Sequence, residues 1–358
     1  MTTAPLSRQT AAELQSMDLE DKLIYTDANL WEWYHAWDGK CYVSFSGGKD
    51  STVLAYLAAE HLNRYRTVPC PLVLVFVNTG LEYPEIQHFV DWYAAWLRRQ
   101  FPRVEIQLVR PRPKMNIKQV LTRYGYSVIS KVVSHNIWQA KHVPDTTRYL
   151  RLMCIKKDGT LAALDNAIPQ KWQSLLSAPF EVSPVCCDIM KKGPFTKFSR
   201  QEARYPITAQ MADESRNRYR KWLQAGCNAF DGKHPKSNPM SFWREQDVLR
   251  LIKDRNLPIC SVYGDVVYGD GENDYDAALA ECPLHCTGCT RTGCMPCMFG
   301  VHLEKGENRF QCMRHTHPKH YRLCIEGGAV DPSDGLWKPD HRGFGMGKVL
   351  DYIGVENR

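Results

Sequence analysis

The sequence predicts an α/β fold built on a Rossmann-like parallel sheet. Two short apolar runs, 41–45 and 72–77, are each followed by a polar turn and then by a helical pattern. A third strand is expected at 104–109, after a helix over 84–99. Strands that alternate with helices are typical of a parallel sheet, and a run that is apolar throughout fits a strand buried on both faces.

The composition is that of an ordinary globular protein. Of the 358 residues, 44% are hydrophobic and 24% are charged, which excludes wholesale disorder, collagen and coiled coils. No run approaches the roughly 20 apolar residues of a membrane span, and the first 40 residues lack the apolar core of a secretory signal. We therefore expect a cytoplasmic protein without a membrane partner. The net charge of +7 permits a polyanionic partner but does not require one.

The residue pattern divides the chain into three segments. Residues 1–37 predict a helical N-terminal preamble. Residues 38–260 hold the alternating strands and helices, including a helix over 243–255 that we expect Ser241 to cap. Residues 261–358 are rich in Gly, Cys, Asp and His and show little periodicity. We expect this last part to be a cysteine-rich, loop-rich segment that a metal holds together.

The strongest motif is Ser46-Gly-Gly-Lys-Asp-Ser51, between the first strand and the helix after it. Its glycines let backbone N–H groups converge on one point, which the helix N-terminus also faces, so the motif predicts a phosphate site. Lys49 adds a point charge, and the two serines add hydroxyl donors. Asp50 would repel a phosphate, and we expect it to cap the helix or to organise a magnesium ion. The spacing is neither that of a Walker A loop nor Gly-x-Gly-x-x-Gly.

This hexapeptide resembles the pyrophosphate loop of the adenine-nucleotide alpha-hydrolase superfamily, the PP-loop enzymes with a HUP-type fold. Within it, the chain resembles the phosphoadenosine-phosphosulfate (PAPS) reductase family. The motifs that carry the resemblance are Ser46–Ser51, Asn78–Glu85, Cys186-Cys187 with Lys191-Lys192, Ile207–Arg218 and Ser241–Val248.

The resemblance implies a substrate with an adenylyl group, either ATP or PAPS or adenosine phosphosulfate (APS). The residues that it places around the nucleotide are Ser44, Phe45, Ser46, Gly47, Gly48, Lys49, Asp50, Ser51, Asn78, Thr79, Gly80 and Glu82. Among them, Lys49, Asp50 and Ser51 are the candidate catalytic residues. The candidates for contact with phosphate, sulfate or nucleic acid are Lys191, Lys192, Arg216 and Arg218. A magnesium ion would normally assist cleavage of ATP.

Two departures from the family pattern bear on the substrate. The family carries Gly-x-Arg before Glu214, but here Ala209-Gln-Met211 stands in its place. The thioredoxin-dependent reductases of the family use a C-terminal cysteine in a motif like Glu-Cys-Gly-Leu-His, and 349–355 reads Val-Leu-Asp-Tyr-Ile-Gly-Val. Without that cysteine, the usual thiosulfonate intermediate has no obvious nucleophile.

Fourteen cysteines in a cytosolic chain predict metal or redox chemistry rather than disulfides. Four thiolates can hold a 4Fe–4S cluster or a zinc ion, and spacing alone does not choose between them. APS reductases of the family bind a 4Fe–4S cluster with a Cys-Cys pair and a distant Cys-x-x-Cys. By that match the ligands are Cys186, Cys187, Cys294 and Cys297.

The surplus of cysteines leaves alternatives open. Cys289 or Cys227 is a substitute ligand for the cluster. A second, zinc-binding site would use Cys282, Cys286 and Cys289 with His285 as the fourth ligand.

Three functions are consistent with these motifs. The first is an ATP pyrophosphatase that adenylates an acceptor for sulfur transfer with the aid of an iron–sulfur cluster. Relatives of this kind act on DNA or tRNA, and a sulfur donor protein would be a partner. The second is a PAPS or APS reductase that produces sulfite with a thiol electron donor protein. The third is a non-catalytic nucleotide-binding module. The sequence leaves the oligomeric state open.

Overall fold

The computed structural model describes residues 5–65, 69–143, 151–152, 154–156, 158–161, 167–232, 234–269 and 283–358. The chain divides into two compact units that are both discontinuous in sequence. The sheet unit comprises Met1–Asn78, Glu82–Pro111 and Phe195–Gly293. The cysteine unit comprises Thr79–Leu81, Arg112–Pro194 and Cys294–Arg358. The division into three consecutive segments stays a prediction.

The helices of the described residues are, in chain order, α1 (Arg8–Ser16), α2 (Leu19–Ala36), α3 (Lys49–Arg64), α4 (Pro84–Gln100), α5 (Ile117–Tyr124), α6 (Lys131–His142), α7 (Gly193–Glu202), α8 (Arg216–Ala225), α9 (Glu245–Asp254), α10 (Arg309–Thr316), α11 (Pro318–Ile325) and α12 (Met346–Tyr352). Shorter helical turns occupy Gln170–Ser177, Asp188–Lys192, Ala212–Glu214, Ser261–Tyr263 and Val301–Leu303. In this part of the chain, every helix is too short or too polar to cross a membrane.

The central sheet has six strands, β1 (Cys41–Ser44), β2 (Leu72–Val75), β3 (Ile106–Val109), β4 (Tyr205–Ile207), β5 (Asn228–Ala229) and β6 (Lys236–Ser237), in the order β3-β2-β1-β4-β6-β5. All neighbours are parallel except β5, which runs antiparallel to β6. The predicted parallel α/β fold is confirmed. Because the strand order reverses between β1 and β4, the crevice beyond their carboxyl ends is where such a sheet binds ligands.

The N-terminal helices pack on the sheet unit through buried side chains. Trp33 and Tyr34 of α2 are buried, whereas Trp31 is 46% exposed. Lys22, also buried, forms an ion pair with Asp247 of α9 at 2.7 Å. These contacts join the N-terminal helical segment to the core of the α/β sheet.

Helix α9 begins later than the sequence predicts. Ser241 does not cap it: the N-cap is Arg244, and the Ser241 hydroxyl donates to the Asn238 carbonyl at 2.8 Å. The backbone N–H of Arg244 donates to Asp247 at 2.6 Å, so a carboxylate within the first turn supplies the cap.

A two-stranded ribbon follows, formed by β7 (Val266–Tyr268) and β8 (Leu284–Cys286). In the cysteine unit, a second ribbon pairs β9 (Ala329–Val330) with β10 (Trp337–Lys338). The C-terminal segment also contains α10, α11 and α12; of these, the residue pattern predicted only a helix start within the His-rich run 315–320, where α11 begins at Pro318. Asn308 and Gln311 form a capping box at the start of α10, and Pro318 occupies the first turn of α11. Because these helices are short, their sequences show little of the hydrophobic periodicity from which a helix is predicted.

Candidate active site and cysteine cluster

The glycine loop, Ser46–Ser51, lies between β1 and α3 at the carboxyl edge of the sheet. Gly47 has φ +73°, and a Cβ atom there would lie 2.9 Å from Cγ2 of Ile86. The Ser46 N–H donates to Oγ of Ser51 at 3.1 Å, and that hydroxyl donates to the Gly48 carbonyl at 2.9 Å. The loop is therefore held by its own two serines, and glycine is required at its turn.

Replacing Gly47 by alanine should destabilise the protein by about 1–3 kcal/mol, because it combines a left-handed φ with a close contact to Ile86. Gly335→Ala is the matched control: its φ is also +73°, but a Cβ there meets nothing within 4 Å. Thermal unfolding of the two variants measures the difference. A loss in Gly47→Ala no larger than in the control would contradict the close packing of the loop.

Lys49 is buried at the start of α3, and its ammonium group lies close to two carboxylates and one backbone carbonyl. Its Nζ lies 2.9 Å from Glu245 Oε1, 3.3 Å from the Thr290 carbonyl and 3.5 Å from Asp50 Oδ1. Burial lowers the pKa of Lys49, but Asp50 and Glu245 outweigh this and leave the pKa above its ordinary value. Lys49 is therefore a fixed cation beside the loop.

Asp50 presents a carboxylate oxygen that is poorly satisfied. Among the described residues, Oδ1 of Asp50 is buried and has no hydrogen-bond partner. Burial raises the pKa of Asp50, Lys49 opposes the effect, and the charge of Glu214 adds to it. A divalent cation near these carboxylates would remove both the repulsion and the unsatisfied oxygen.

A cationic group follows β4 in the same unit. Arg218 forms an ion pair with Glu214, as an i,i+4 pair at the start of α8. Burial lowers the pKa of Lys236, and the nearby positive charges of Lys221 and Arg218 lower it further. Lys236 also donates to Gln210 Oε1 at 3.2 Å. Cations held this close together favour an anionic ligand.

The second predicted motif is divided between the two units. In the sheet unit, Nε2 of Gln87 donates to Asn78 Oδ1 and to Glu82 Oε2, both at 3.2 Å. Thr79 and Gly80 belong to the cysteine unit, where Thr79 Oγ1 accepts the N–H of Leu81 at 3.2 Å. Of the remaining predicted residues, Ser44 ends β1 and Phe45 is fully buried behind the loop.

The structure brings together the four cysteines that the family resemblance implies as ligands. All four belong to the cysteine unit. Burial raises the pKa of the Cys186 thiol, and Cys187, Cys294 and Cys297 raise it further through their charges. The pKa of Cys187 is likewise raised, first by burial and then by Cys294. The Cys-Cys pair and the distant Cys-x-x-Cys thus lie close enough for their charges to interact, and all four residues are partly buried.

Positive charges surround these thiols. Lys191 lowers the pKa values of Cys186 and Cys187 against the effect of burial. The Arg309 guanidinium donates to the Cys297 carbonyl at 2.9 Å, and its charge acts in the same direction on the Cys297 thiol. Cations in such positions stabilise thiolates and the net negative charge of a thiolate-ligated cluster.

A π-helical turn, Asp188–Lys192, follows the Cys-Cys pair directly. Such turns are uncommon and often mark functional sites. Asp188 binds both Lys192 and Lys131, at 3.0 Å and 2.7 Å. The predicted phosphate-binding lysines, Lys191 and Lys192, therefore belong to the surroundings of the cysteines in this unit. Arg216, which was also predicted to contact phosphate, sulfate or nucleic acid, is exposed at the start of α8.

The remaining tail cysteines lie elsewhere. Cys289 is in the sheet unit, and its thiol lies 3.9 Å from the Tyr83 hydroxyl. Cys286 is buried on β8, where Lys49 lowers its pKa against the effect of burial. His285 is exposed on the same strand, and successive strand residues face opposite sides, which disfavours a zinc site that uses both. Cys282 lies outside the described residues. Cys227 is in the sheet unit, and burial raises the pKa of its thiol to about 12.

Within the described ranges, no group of three or more His, Cys, Asp or Glu side chains is already arranged as metal ligands. The four thiols match a 4Fe–4S cluster in donor type and number. The raised pKa values of Cys186, Cys187 and Cys297 mean that these unloaded thiols keep their protons at neutral pH, so metal loading must release protons.

The unloaded protein should lose stability as the pH rises above about 9. Burial holds the pKa values of Cys186, Cys187 and Cys297 above the ordinary 9.0 in the folded state. Unfolded thiols release their protons from that pH upward while the folded thiols keep theirs, so alkaline pH favours the unfolded chain. Thermal unfolding of unloaded and cluster-loaded protein measures this. The loaded protein should depend less on pH, and a melting temperature of the unloaded protein that rises with pH would contradict the assignment.

Sequence reasoning missed several residues of the site. Glu245 and the Thr290 carbonyl contact the Lys49 side chain, and Lys236 donates to Gln210, but their neighbours in the sequence do not mark these three as site residues. The one available signal was for Glu245, which falls within the family-like stretch Ser241–Val248. Tyr263 and Thr292, which touch the glycine loop, carried no signal.

A parallel sheet with a glycine loop and a helix N-terminus beyond its central strand defines a class of nucleotide-binding α/β enzymes. The sequence profile of the Phosphoadenosine phosphosulfate reductase domain matches residues 40–151 and 137–299. The match spans well over half of the chain, and the protein belongs to this family. No curated protein matches the chain.

The solved structures that match this chain share little sequence with it. The tRNA thiolase NcsA from Methanococcus maripaludis, with its 4Fe–4S cluster, is 17% identical with a TM-score of 0.34; the match covers 67% of this chain and 66% of that one, just under two thirds. An NAD+ synthetase from Burkholderia pseudomallei is 14% identical, with a TM-score of 0.34 and coverage of 69% and 71%. An NH3-dependent NAD synthetase from Campylobacter jejuni is 12% identical, with a TM-score of 0.31 and coverage of 67% and 75%.

Proposed function

We propose that the protein is an ATP pyrophosphatase that cleaves ATP to AMP and pyrophosphate and thereby adenylates an acceptor for sulfur transfer. The observation that carries this proposal is the charged site at the glycine loop. The buried Lys49 cation stands beside a loop of backbone N–H groups, and its Nζ forms an ion pair of 3.5 Å with the buried Oδ1 of Asp50, which has no further hydrogen-bond partner among the described residues. This arrangement provides cationic and metal-binding groups for a triphosphate.

The chemistry follows from these groups. An acceptor oxygen attacks the α-phosphorus, the bond between the α-phosphorus and its bridging oxygen breaks, and pyrophosphate leaves with the bonding electrons. Negative charge develops on that bridging oxygen in the transition state. Loop N–H groups and Lys49 lower the barrier if they face this oxygen. Donors of this kind contribute about 10²–10³-fold each in other enzymes.

Magnesium fits the carboxylates of the site. Asp50 offers an unsatisfied buried oxygen, and Glu214 is close enough to raise the pKa of Asp50 through its charge. Oxygen ligands of this type suit magnesium, which usually keeps several waters and binds one or two carboxylates. When bound, the metal would neutralise charge on the phosphates.

A 4Fe–4S cluster is the cofactor that we assign to Cys186, Cys187, Cys294 and Cys297, with zinc as the alternative. When bound, the cluster would supply a site for holding or activating sulfur. The cationic side chains around the thiols would offset its negative charge. A chain with fourteen cysteines and an iron–sulfur cluster suits a reducing compartment, which is why we place the protein in the cytoplasm.

The acceptor that we favour is a nucleic acid, DNA or tRNA, with a sulfur donor protein as partner. Arg218, Lys221 and Lys236 form a cationic group that follows β4 and lies in the unit of the glycine loop. Such a group suits a phosphodiester backbone. Because Lys236 is partly desolvated, an anion that binds there would also relieve the repulsion among the three cations.

The second candidate, a PAPS or APS reductase, is favoured by the family match. It requires a thiol nucleophile that attacks the sulfonucleotide. The residues after Cys324 contain no cysteine, so the motif that reductases use near their C-terminus is missing from this chain. A nucleotide-binding module without turnover is the remaining alternative.

An anaerobic turnover assay on cluster-loaded protein separates the candidates. One sample receives ATP, magnesium and a mixture of cellular tRNA and DNA, and pyrophosphate is measured. The other receives PAPS or APS with a thiol donor, and sulfite is measured. We expect pyrophosphate in the first sample and no sulfite in the second. Sulfite formation would establish the reductase instead, and ATP binding without product in either sample would indicate the module.

A further inference from the structure

The tyrosine hydroxyl of Tyr263 lies directly against the glycine loop. It accepts the backbone N–H of Lys49 at 3.2 Å and shares a hydrogen bond of 2.7 Å with Thr292 Oγ1. Tyr263 is only 2% exposed. A Cβ atom at Gly48 would lie 3.1 Å from the Thr292 hydroxyl and 3.2 Å from the Tyr263 hydroxyl. With Ser46 Oγ, which would also lie 3.2 Å from that Cβ, three hydroxyls crowd onto the second glycine of the loop.

The Lys49 N–H is one of the donors that a helix N-terminus offers to an anion. Gly48 is the N-cap of α3 and supplies no side-chain cap, so the first N–H groups of α3 need another acceptor. In this structure the Tyr263 oxygen fills that role for Lys49. The hydroxyl therefore occupies a position where a phosphate oxygen would accept the same N–H.

We propose that the Tyr263 and Thr292 hydroxyls are part of the phosphate site and donate hydrogen bonds to the phosphate that binds there. The inference rests on the proposed function, because it takes the glycine loop to be the phosphate cradle. It assigns binding roles to two residues of the segment after α9, outside the Ser46–Ser51 motif.

The chemistry of a hydroxyl suits this role. A hydroxyl is one donor and two acceptors, so Tyr263 can accept the Lys49 N–H and still direct its hydrogen towards a phosphate oxygen. Burial raises the pKa of Tyr263, which keeps the phenol protonated and able to donate at neutral pH. The Lys49 side chain is held on the same side, because its Nζ donates to the carbonyl of Thr290.

Equilibrium binding of ATP and of inorganic pyrophosphate to the full chain tests the proposal. Tyr263→Phe keeps the ring but removes the hydroxyl, and we expect affinity for both probes to fall about tenfold or more, as for a hydrogen bond to a charged group. Thr292→Val should weaken binding less, because it acts partly through Tyr263. Adenosine, which has no phosphate, should bind the unmodified protein, Tyr263→Phe and Thr292→Val with equal affinity.

Tyr42→Phe is the matched control, since Tyr42 is also 2% exposed and its hydroxyl bonds to Ser199 Oγ at 2.9 Å. This variant should bind both probes like the unmodified protein. Lys49→Ala distinguishes a failure of the proposed function from a failure of the role that we give to the two hydroxyls. If it keeps full affinity for pyrophosphate, the glycine loop is not the cradle and the proposed function fails. If it loses affinity while Tyr263→Phe binds equally or more tightly, only the role of the hydroxyls is overturned.

Discussion

Replacing Cys187 by serine is expected to remove most of the iron from the reconstituted protein. Cys187 is one of four partly buried cysteines whose charges interact, and a 4Fe–4S cluster needs all four ligands for full stability. Iron and sulfide content and the visible absorbance of the cluster measure the loss. The unmodified protein should hold about four irons per chain.

Two further variants make this result specific. Cys324 is buried in the same unit, and burial alone raises its pKa, so Cys324→Ser should keep the cluster. Cys289→Ser tests the alternative ligand and should also keep it, because the cysteines whose charges raise the pKa of Cys186 are Cys187, Cys294 and Cys297, whereas the Cys289 thiol lies 3.9 Å from the Tyr83 hydroxyl. Loss of iron from Cys289→Ser but not from Cys187→Ser would overturn the assigned ligand set. If the protein contains zinc instead of iron and sulfide, the four cysteines remain the metal site but the cofactor is zinc.

Lys49→Ala is expected to lower the rate of pyrophosphate formation by about 10²–10³-fold. The substitution removes the buried cation next to the glycine loop and leaves Glu245 and Asp50 without their partner. Repulsion of the incoming phosphates would therefore add to the loss of stabilisation at the leaving oxygen. Initial rates at saturating ATP and magnesium measure the effect.

Lys22→Ala is the matched control for that variant. Lys22 is also a buried lysine that forms a short ion pair, with Asp247 at 2.7 Å, but it lies on α2. We expect Lys22→Ala to lower thermal stability while the folded protein keeps its rate of pyrophosphate formation. Equal losses of rate in both variants would mean that Lys49 acts through folding, and an unchanged rate in Lys49→Ala would contradict the cradle.

The fold was predictable where local pattern and tertiary structure agree. Strands β1 and β2 are continuous apolar runs, and both are buried at the centre of the sheet. The cap of α9 was not predictable from Ser241, because the side chain of Asp247 caps the helix from within its first turn. Helix α10 was missed because it has only eight residues, with two buried side chains to create a period, whereas a helix start was predicted within 315–320 and α11 begins there.

The candidate site was predictable only in the parts that are contiguous in sequence. The hexapeptide around Lys49 predicts a phosphate-binding loop, and the Cys-Cys and Cys-x-x-Cys pairs predict a metal centre. Tyr263 and Glu245 were hidden because their approach to Lys49 depends on the packing of segments roughly 200 residues away in the chain. Only the folded structure reveals such contacts.

The most direct test of the central claim is the identity of the products formed from ATP. Cluster-loaded protein is incubated anaerobically with α-labelled ATP, magnesium and cellular tRNA and DNA, and the labelled nucleotide and the released phosphate species are separated. The account predicts AMP, or label transferred to the nucleic acid, in equal amounts with pyrophosphate. Formation of ADP and orthophosphate, or sulfite from PAPS or APS with ATP left intact, would contradict it.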